Sequence, residues 1–302
     1  EALLATDPST KLSIANSIWT NKHIEIKPAF IATNRDYFHS TVEAIDFADP
    51  ATVGRINQWA SDNTRELIDH VLDETDPMAL MYLLNAIYFK GIWTSQFDKK
   101  QTEKAPFTDE NGSIKQVDMM HQKAEFNYSE NETMQMVELP YGNQAFRMVV
   151  LLPKAGTKLV DINELLREGS AWGTLNSGLR RAMVDLRLPR FKTEYNIRLN
   201  DLLTDMGMGV AFTPGQADFS RMSDLEAFIS FVDQFTYIST DEEGTEAAAV
   251  TVVGVELTSV GPPREVTFHA NRPFIYLIRE QSTGAILFMG AVKFMGAVKN
   301  FD

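Results

Sequence analysis

The side chains that most often carry chemistry are sparse in this 302-residue chain, and their spacing excludes most catalytic classes. There is no cysteine, which removes thiolate nucleophiles, disulfides and Cys-ligated zinc or iron–sulfur sites together. The five histidines, His23, His39, His70, His121 and His269, are scattered with no pair at metal-ligand spacing, so no metal and no other cofactor is expected. No Gly-x-Ser-x-Gly, Walker loop or His-Glu-x-x-His occurs. Gly207-Met208-Gly209 lacks the third glycine of a dinucleotide loop and reads as a helix terminator. The chain is not expected to be an enzyme.

One segment is unusual in another way. Residues 241–263 lie between two strand-like stretches, Val232 to Thr240 and Glu265 to Phe268, an interval of about 20 residues with no turn punctuation from Thr245 until Gly254, which is long for a loop in a compact domain. With period two, Thr245, Ala247, Ala249, Thr251, Val253 and Val255 share one face, all small or β-branched and uncharged, while Glu246 and Glu256 fall on the other. Such a face can enter a packed layer without burying a charge, so the segment reads as a strand with no fixed place. Its glutamate and three alanines also suit a surface helix.

The elements around it mix strands and helices without regular βαβ alternation, which points to an α+β fold. Leu12 to Trp19 reads as a strand, Lys27-Pro28 as the start of a helix over Ala29 to Tyr37, and Thr52 to Leu72 as one long helix. Ala79 to Trp93 is apolar enough for a strand covered on both faces. Val137 to Pro153 reads as a hairpin turning at Gly142-Asn143, and Met183 to Pro189 alternates as a half-exposed strand. Asn200 is placed to cap a short helix over Asp201 to Met206. No Pro/Gly/Ser-rich linker divides the chain, so a single domain over 1–302 is expected. Phe288-Met289-Gly290-Ala291-Val292-Lys293 is copied at once as Phe294 to Lys299, far below solenoid periods, and reads as a duplication artefact.

Acidic residues number 41 and basic ones 28, a net charge of −13 that disfavours nucleic acid and anionic membranes. No apolar stretch approaches the length of a membrane span, so the chain reads as soluble. The first residues carry no basic leader, and localisation is not legible. Sequons at Asn111 and Asn131 matter only in a secreted protein.

The segment Glu242-Glu243-Gly244-Thr245-Glu246-Ala247-Ala248-Ala249 resembles the hinge of the serpin family nearly letter for letter, and Phe268 to Ile278 fits that family's C-terminal signature. Further matches are Ile56-Asn57-x-Trp59 with Thr64, Asn85 to Trp93, Glu138-Leu139-Pro140-Tyr141, Leu188-Pro189-Arg190-Phe191 and Ala217-Asp218-Phe219-Ser220, so the resemblance covers essentially the whole chain. It implies three β-sheets surrounded by helices, with a long exposed or inserted reactive-centre loop over 241–263. Serpins begin with several helices before the strand that matches Leu12 to Trp19, so the start reads as truncated, proteolysed or unlisted.

The activity implied is single-use covalent inhibition of a serine protease by a monomer, with a secreted or extracellular setting favoured. The alternative is a non-inhibitory carrier, chaperone or storage protein, whose hinge tends to carry bulky, charged or proline residues. Counting 14 residues beyond Gly244 places the reactive bond between Thr258 and Ser259, with Leu257-Thr258 as competitor. No lysine or arginine lies between Val252 and Gly261, which points to elastase-, chymotrypsin- or subtilisin-like targets, with papain-like cysteine proteases as a further class. The resemblance also assigns sheet opening to Asn85, Trp93 and Gln234, the last standing where family members often carry histidine. Gln234 can still hydrogen-bond to Asn85 but cannot titrate. Asn85 and Trp93 equally suit a buried strand that needs one satisfied polar group and one large filler.

Overall fold

A computed structural model describes residues 6–167, 169–229, 231–245 and 264–293. In chain order the elements are β1 (Thr10–Asn21), α1 (Pro28–Phe38), β2 (Thr41–Ile45), α2 (Ala51–Asn63), β3 (Met81–Ile92), β4 (Glu103–Thr108), β5 (Ile114–Glu130), β6 (Met134–Pro140) and β7 (Phe146–Pro153). They continue with α3 (Leu159–Arg167), α4 (Ser170–Ser177), β8 (Arg180–Pro189), β9 (Phe191–Arg198), α5 (Asn200–Leu203), β10 (Asp233–Thr240), β11 (Gly244–Thr245), β12 (Glu265–His269), β13 (Phe274–Glu280) and β14 (Ile286–Val292). One sheet has the order β2-β1-β3-β11-β10-β9; the other runs β12-β8-β5-β6-β7-β13-β14, with β4 on β5. Two of the three sheets that the resemblance implies are thus joined, because β5 is long enough to pair with β8 over Met119–Tyr128 and with β6 over Asn127–Glu130.

Contacts divide the described residues into two compact units, one drawn from those of 6–11, 89–193, 238–245 and 264–293, the other from those of 12–88 and 194–237. In the second unit Tyr82, Leu84 and Ala86 of β3 pack on Trp19, Phe47, Ile56, Trp59, Phe235 and Tyr237. Period two puts these β3 residues on one face; on the other, Leu83 is 41% exposed, so the expectation of a strand covered on both faces fails here. In the first unit Phe89 is covered, with Tyr141, Phe146 and Phe288 around its ring.

Two further expectations are corrected. The helix over Thr52 to Leu72 ends at Asn63, because the Thr64 hydroxyl donates to the Ala60 carbonyl and accepts from the Ile68 amide, and Arg65 and Glu66 take positive φ. The Asn57 side chain then ties Val71 and Leu72 back, so Ile68 and Val71 are buried without being helical and mimic the 3.6-residue period. Asn200 does not cap its helix: its side-chain oxygen accepts from the Val232 amide, and α5 passes at Thr204 into a wider turn broken at Gly207, φ 98°. Elsewhere the reading holds: Pro28 opens α1, β6 and β7 form the hairpin, and β8 buries Ala182, Val184, Leu186 and Leu188 in alternation.

Candidate functional site

The end of β10 is where the chain makes an unusual reversal. After Thr240 the Asp241 carboxylate accepts from the amides of Glu243 and Gly244 at 2.8 and 3.2 Å, and the Asp241 amide donates to the Gly244 carbonyl. This closes a tight turn that returns the chain as β11. The two residues of β11 are antiparallel to strands on both sides: Gly244 lies opposite Ile92 and Thr245 opposite Gly91 on β3, while Thr245 lies opposite Thr240 on β10. Gly244 has φ 150°, and a Cβ there would stand 2.0 Å from the Gly91 carbonyl oxygen, so only glycine fits this approach.

Thr245 is fully buried and hydrogen-bonded at 2.7 Å to the Tyr141 hydroxyl. Burial pushes the Tyr141 phenol well above its ordinary value, so it stays protonated and able to donate. Its ring stacks on Trp93 at 4.4 Å and 12°. Trp93 in turn holds the reversal, its indole Nε1 donating to the Asp241 carbonyl and its amide to the Glu243 carbonyl, each at 2.9 Å. Glycine at 91 leaves room for this layer, since a Cβ would meet the Tyr141 ring at 2.7 Å.

The two acidic hinge residues are held by cations. Glu242, 1% exposed, accepts from Arg190 Nε at 2.9 Å on both oxygens, from Arg190 Nη2 at 2.6 Å, and from the Thr102 hydroxyl. Burial works against the Glu242 carboxylate, but the Arg190 and Thr102 hydrogen bonds outweigh it and hold the group below its ordinary value. Glu243 pairs with Lys99, whose ammonium is held above its ordinary value by that hydrogen bond.

In the second unit β3 and β10 pair directly and in parallel, from Asn85 opposite Gln234 to Tyr88 opposite Tyr237. The hydrogen bond that Gln234 could make to Asn85 is not the one formed: Asn85 Nδ2 donates to Asn16 Oδ1 on β1, at 2.8 Å. Sequence reasoning placed the two residues together but missed Asn16, because β1 is the other neighbour of β3. It also gave no role to Thr102, Arg190, Lys99 or Tyr141. The signal for Arg190 was a cation ending an alternating strand. The expectations for Glu246, Ala247, Ala248, Ala249, Leu257, Thr258 and Ser259 lie outside the described residues. Among the described residues no cluster of His, Asp or Glu is placed to hold a metal, and no helix is long and apolar enough to cross a membrane.

A short strand between two mutually parallel strands, entering from the turn after β10, is the geometry of a sheet with an added strand begun at one end. The family profile described as Serpin (serine protease inhibitor) matches residues 1–293. The chain belongs to the serpin family. It is 33% identical to human Serpin B11 over 293 residues, 94% of this chain and 74% of that protein, and 35% identical to human leukocyte elastase inhibitor, covering 92% and 76%. The native-state crystal structure of the thermophilic serpin tengpin superposes with a TM-score of 0.82 at 34% identity, over 96% of this chain and 75% of that one. This serpin chain spans 65% of the length of a serpin-like protein of Thermococcus kodakarensis and 77% of that of Iris from Ixodes ricinus.

Proposed function

We propose that this serpin is a single-use covalent inhibitor of elastase-, chymotrypsin- or subtilisin-like serine proteases. The observation that carries the reading is the placement of Gly244-Thr245 between β3 and β10, antiparallel to both, while further along the same two strands are parallel and in direct contact. Each further residue entering the gap replaces one parallel pairing by two antiparallel ones, a net gain of a ladder. The registers are compatible without slippage. Continued six steps beyond Thr245, the pairing brings Thr251 opposite both Asn85 and Gln234, which already face one another. The residues that follow Thr245 on its face, Ala247, Ala249, Thr251 and Val253, bring no charge into the layer.

The chemistry follows from this. The protease serine oxygen attacks the Thr258 carbonyl carbon, the Thr258–Ser259 bond breaks, the proton passes to the new amino group of Ser259, and an ester links Thr258 to the enzyme. Freed at its far end, the segment from Glu246 enters the sheet, gaining about ten ladder hydrogen bonds at ~1 kcal/mol each. The protease is carried along and its oxyanion hole and triad lose register, so the ester is not hydrolysed. Binding of a matched protease should therefore yield a denaturant-stable complex on a gel and a released fragment beginning at Ser259, or at Thr258 for the competing bond. A fragment beginning at Glu265 would make Arg264 the bait and a trypsin-like enzyme the target. Cleavage without complex, with every protease in the panel still active, would leave the carrier or storage reading in its place.

A further inference from the structure

From Asp241 to Glu265 the sequence holds one basic residue, Arg264, and the target class proposed above requires that proteases pass it over. A trypsin-like protease takes a basic side chain whole into a pocket and pairs it with a buried aspartate. An arginine beside the loop is therefore a competing bait unless something prevents its use.

Arg264 is held on two sides. Its guanidinium pairs with the Glu130 carboxylate at the end of β5, and its guanidinium carbon lies 5.6 Å from the centre of the Tyr128 ring. Glu130 also accepts from Lys154 Nζ at 2.7 Å; the Lys154 and Arg264 hydrogen bonds, the former the larger cause, hold this carboxylate below its ordinary value. Tyr128 is buried and fixed. Gln135 Nε2 donates to its hydroxyl at 2.8 Å and to the Thr267 carbonyl at 3.0 Å, so the ring beside Arg264 is tied to β12 itself. The backbone is engaged as well: the Arg264 carbonyl accepts from the Met183 amide at 2.9 Å, and Glu265, opposite Met183, is the first residue of β12.

The Arg264 side chain is 62% exposed, so water reaches it, but entry into a protease pocket demands more than exposure. Cleavage after Arg264 requires the chain to give up the Glu130 pair, the Tyr128 ring and the Met183 hydrogen bond together, and to lift the first residue of β12 from β8. An exposed ion pair or cation–π contact slows such an opening by up to about fivefold, and effects on one opening multiply.

We propose that Glu130 sets protease specificity through Arg264: by holding the guanidinium beside Tyr128 it withdraws the single basic residue of this stretch from trypsin-like enzymes. The consequence for target choice rests on the inhibitor reading, whereas the concealment of Arg264 does not.

The test adds trypsin to the full chain and follows, by mass, the fragment beginning at Glu265 that forms when water adds across the Arg264–Glu265 bond. A synthetic peptide of residues 260–268 gives the rate for the same bond unheld, and the wild-type protein should be cut at least about tenfold more slowly. Glu130→Ala should be cut at this bond about fivefold faster than wild type, with the unfolding midpoint and the cuts at other lysines and arginines unchanged. Raising the salt to about 1 M, which screens the pair, should quicken the wild-type cut relative to the peptide but leave that of Glu130→Ala unmoved. Equal rates in wild type and Glu130→Ala, or an acceleration shared by every basic site, would overturn the proposal. If the Arg264 cut responds as expected while no elastase-, chymotrypsin- or subtilisin-like protease is trapped, the concealment stands and the inhibitor reading fails.

Discussion

The strand pair β3 and β10 behaves in opposite ways along its length. At Gly91–Ile92 and Thr240 it is parted by Gly244-Thr245, and the parting is locked: Thr245 is buried on Tyr141, Trp93 holds the turn, and Glu242 is chelated by Arg190 and Thr102. From Asn85 to Tyr88 it is closed, with a parallel ladder and a single amide–amide hydrogen bond that runs to β1 rather than across the pair. A buried carboxylate is strongly unfavourable to strip of its cation, whereas a neutral ladder can be exchanged for another. In the proposed mechanism one stretch stays occupied and the other is the one refilled.

Several substitutions test that contrast, the largest effect coming from Thr245→Arg. A cation on the buried face of β11 must either lose its hydration beside Tyr141, at several kcal/mol, or hold the strand out of the sheet. The protease consumed per mole of serpin should fall at least about tenfold, since 1.4 kcal/mol corresponds to a factor of ten. An unchanged stoichiometry would break the comparison at its strongest point. Glu242→Lys comes next: it sets two cations against each other where one partner is buried, and with Arg190 partly exposed the loss should be about 2–4 kcal/mol in denaturant unfolding. Hydrogen exchange should then quicken at the Trp93 and Phe97 amides, which donate to Glu243 and Glu242, while Asn85 to Tyr88 keeps its protection.

Asn85→Leu should be milder, about 1 kcal/mol, because it removes one neutral hydrogen bond and leaves half-buried Asn16 able to reach water. The finest distinction is in pH. Glu242 has a depressed carboxylate, so its contribution is fully present above the ordinary value of 4.5 and is lost as pH falls through the lower folded value. The stability difference between wild type and Glu242→Gln should be full at neutral pH and close in acid, while the Asn85→Leu difference stays flat. Parallel behaviour of the two differences would remove the electrostatic half of the contrast.

Much of the fold was legible because period two and turn residues are local signals: β1, β3, β8, the β6–β7 hairpin and the start of α1 all stand where the pattern put them. The reading failed where a side chain far along the chain competes with the local pattern. Asn57 pulls Val71 and Leu72 into register with a helix they do not join, and Val232 takes the Asn200 oxygen from its own helix. The hinge was recognisable from its letters, but its partners were not. Tyr141 is 104 residues from Thr245, and Arg190 is 52 from Glu242.

By itself, then, the sequence determined what the hinge face could tolerate: an alternation of small uncharged side chains is a property of neighbouring residues and needs no third dimension to be read. Only the tertiary structure decided that β3 and β10 run parallel with a place for an antiparallel strand between them, that Glu242 is buried on an arginine, and that Asn85 turns to Asn16. Those outcomes depend on which distant segments share a sheet edge, and pairing between segments so far apart leaves no periodic trace in either one.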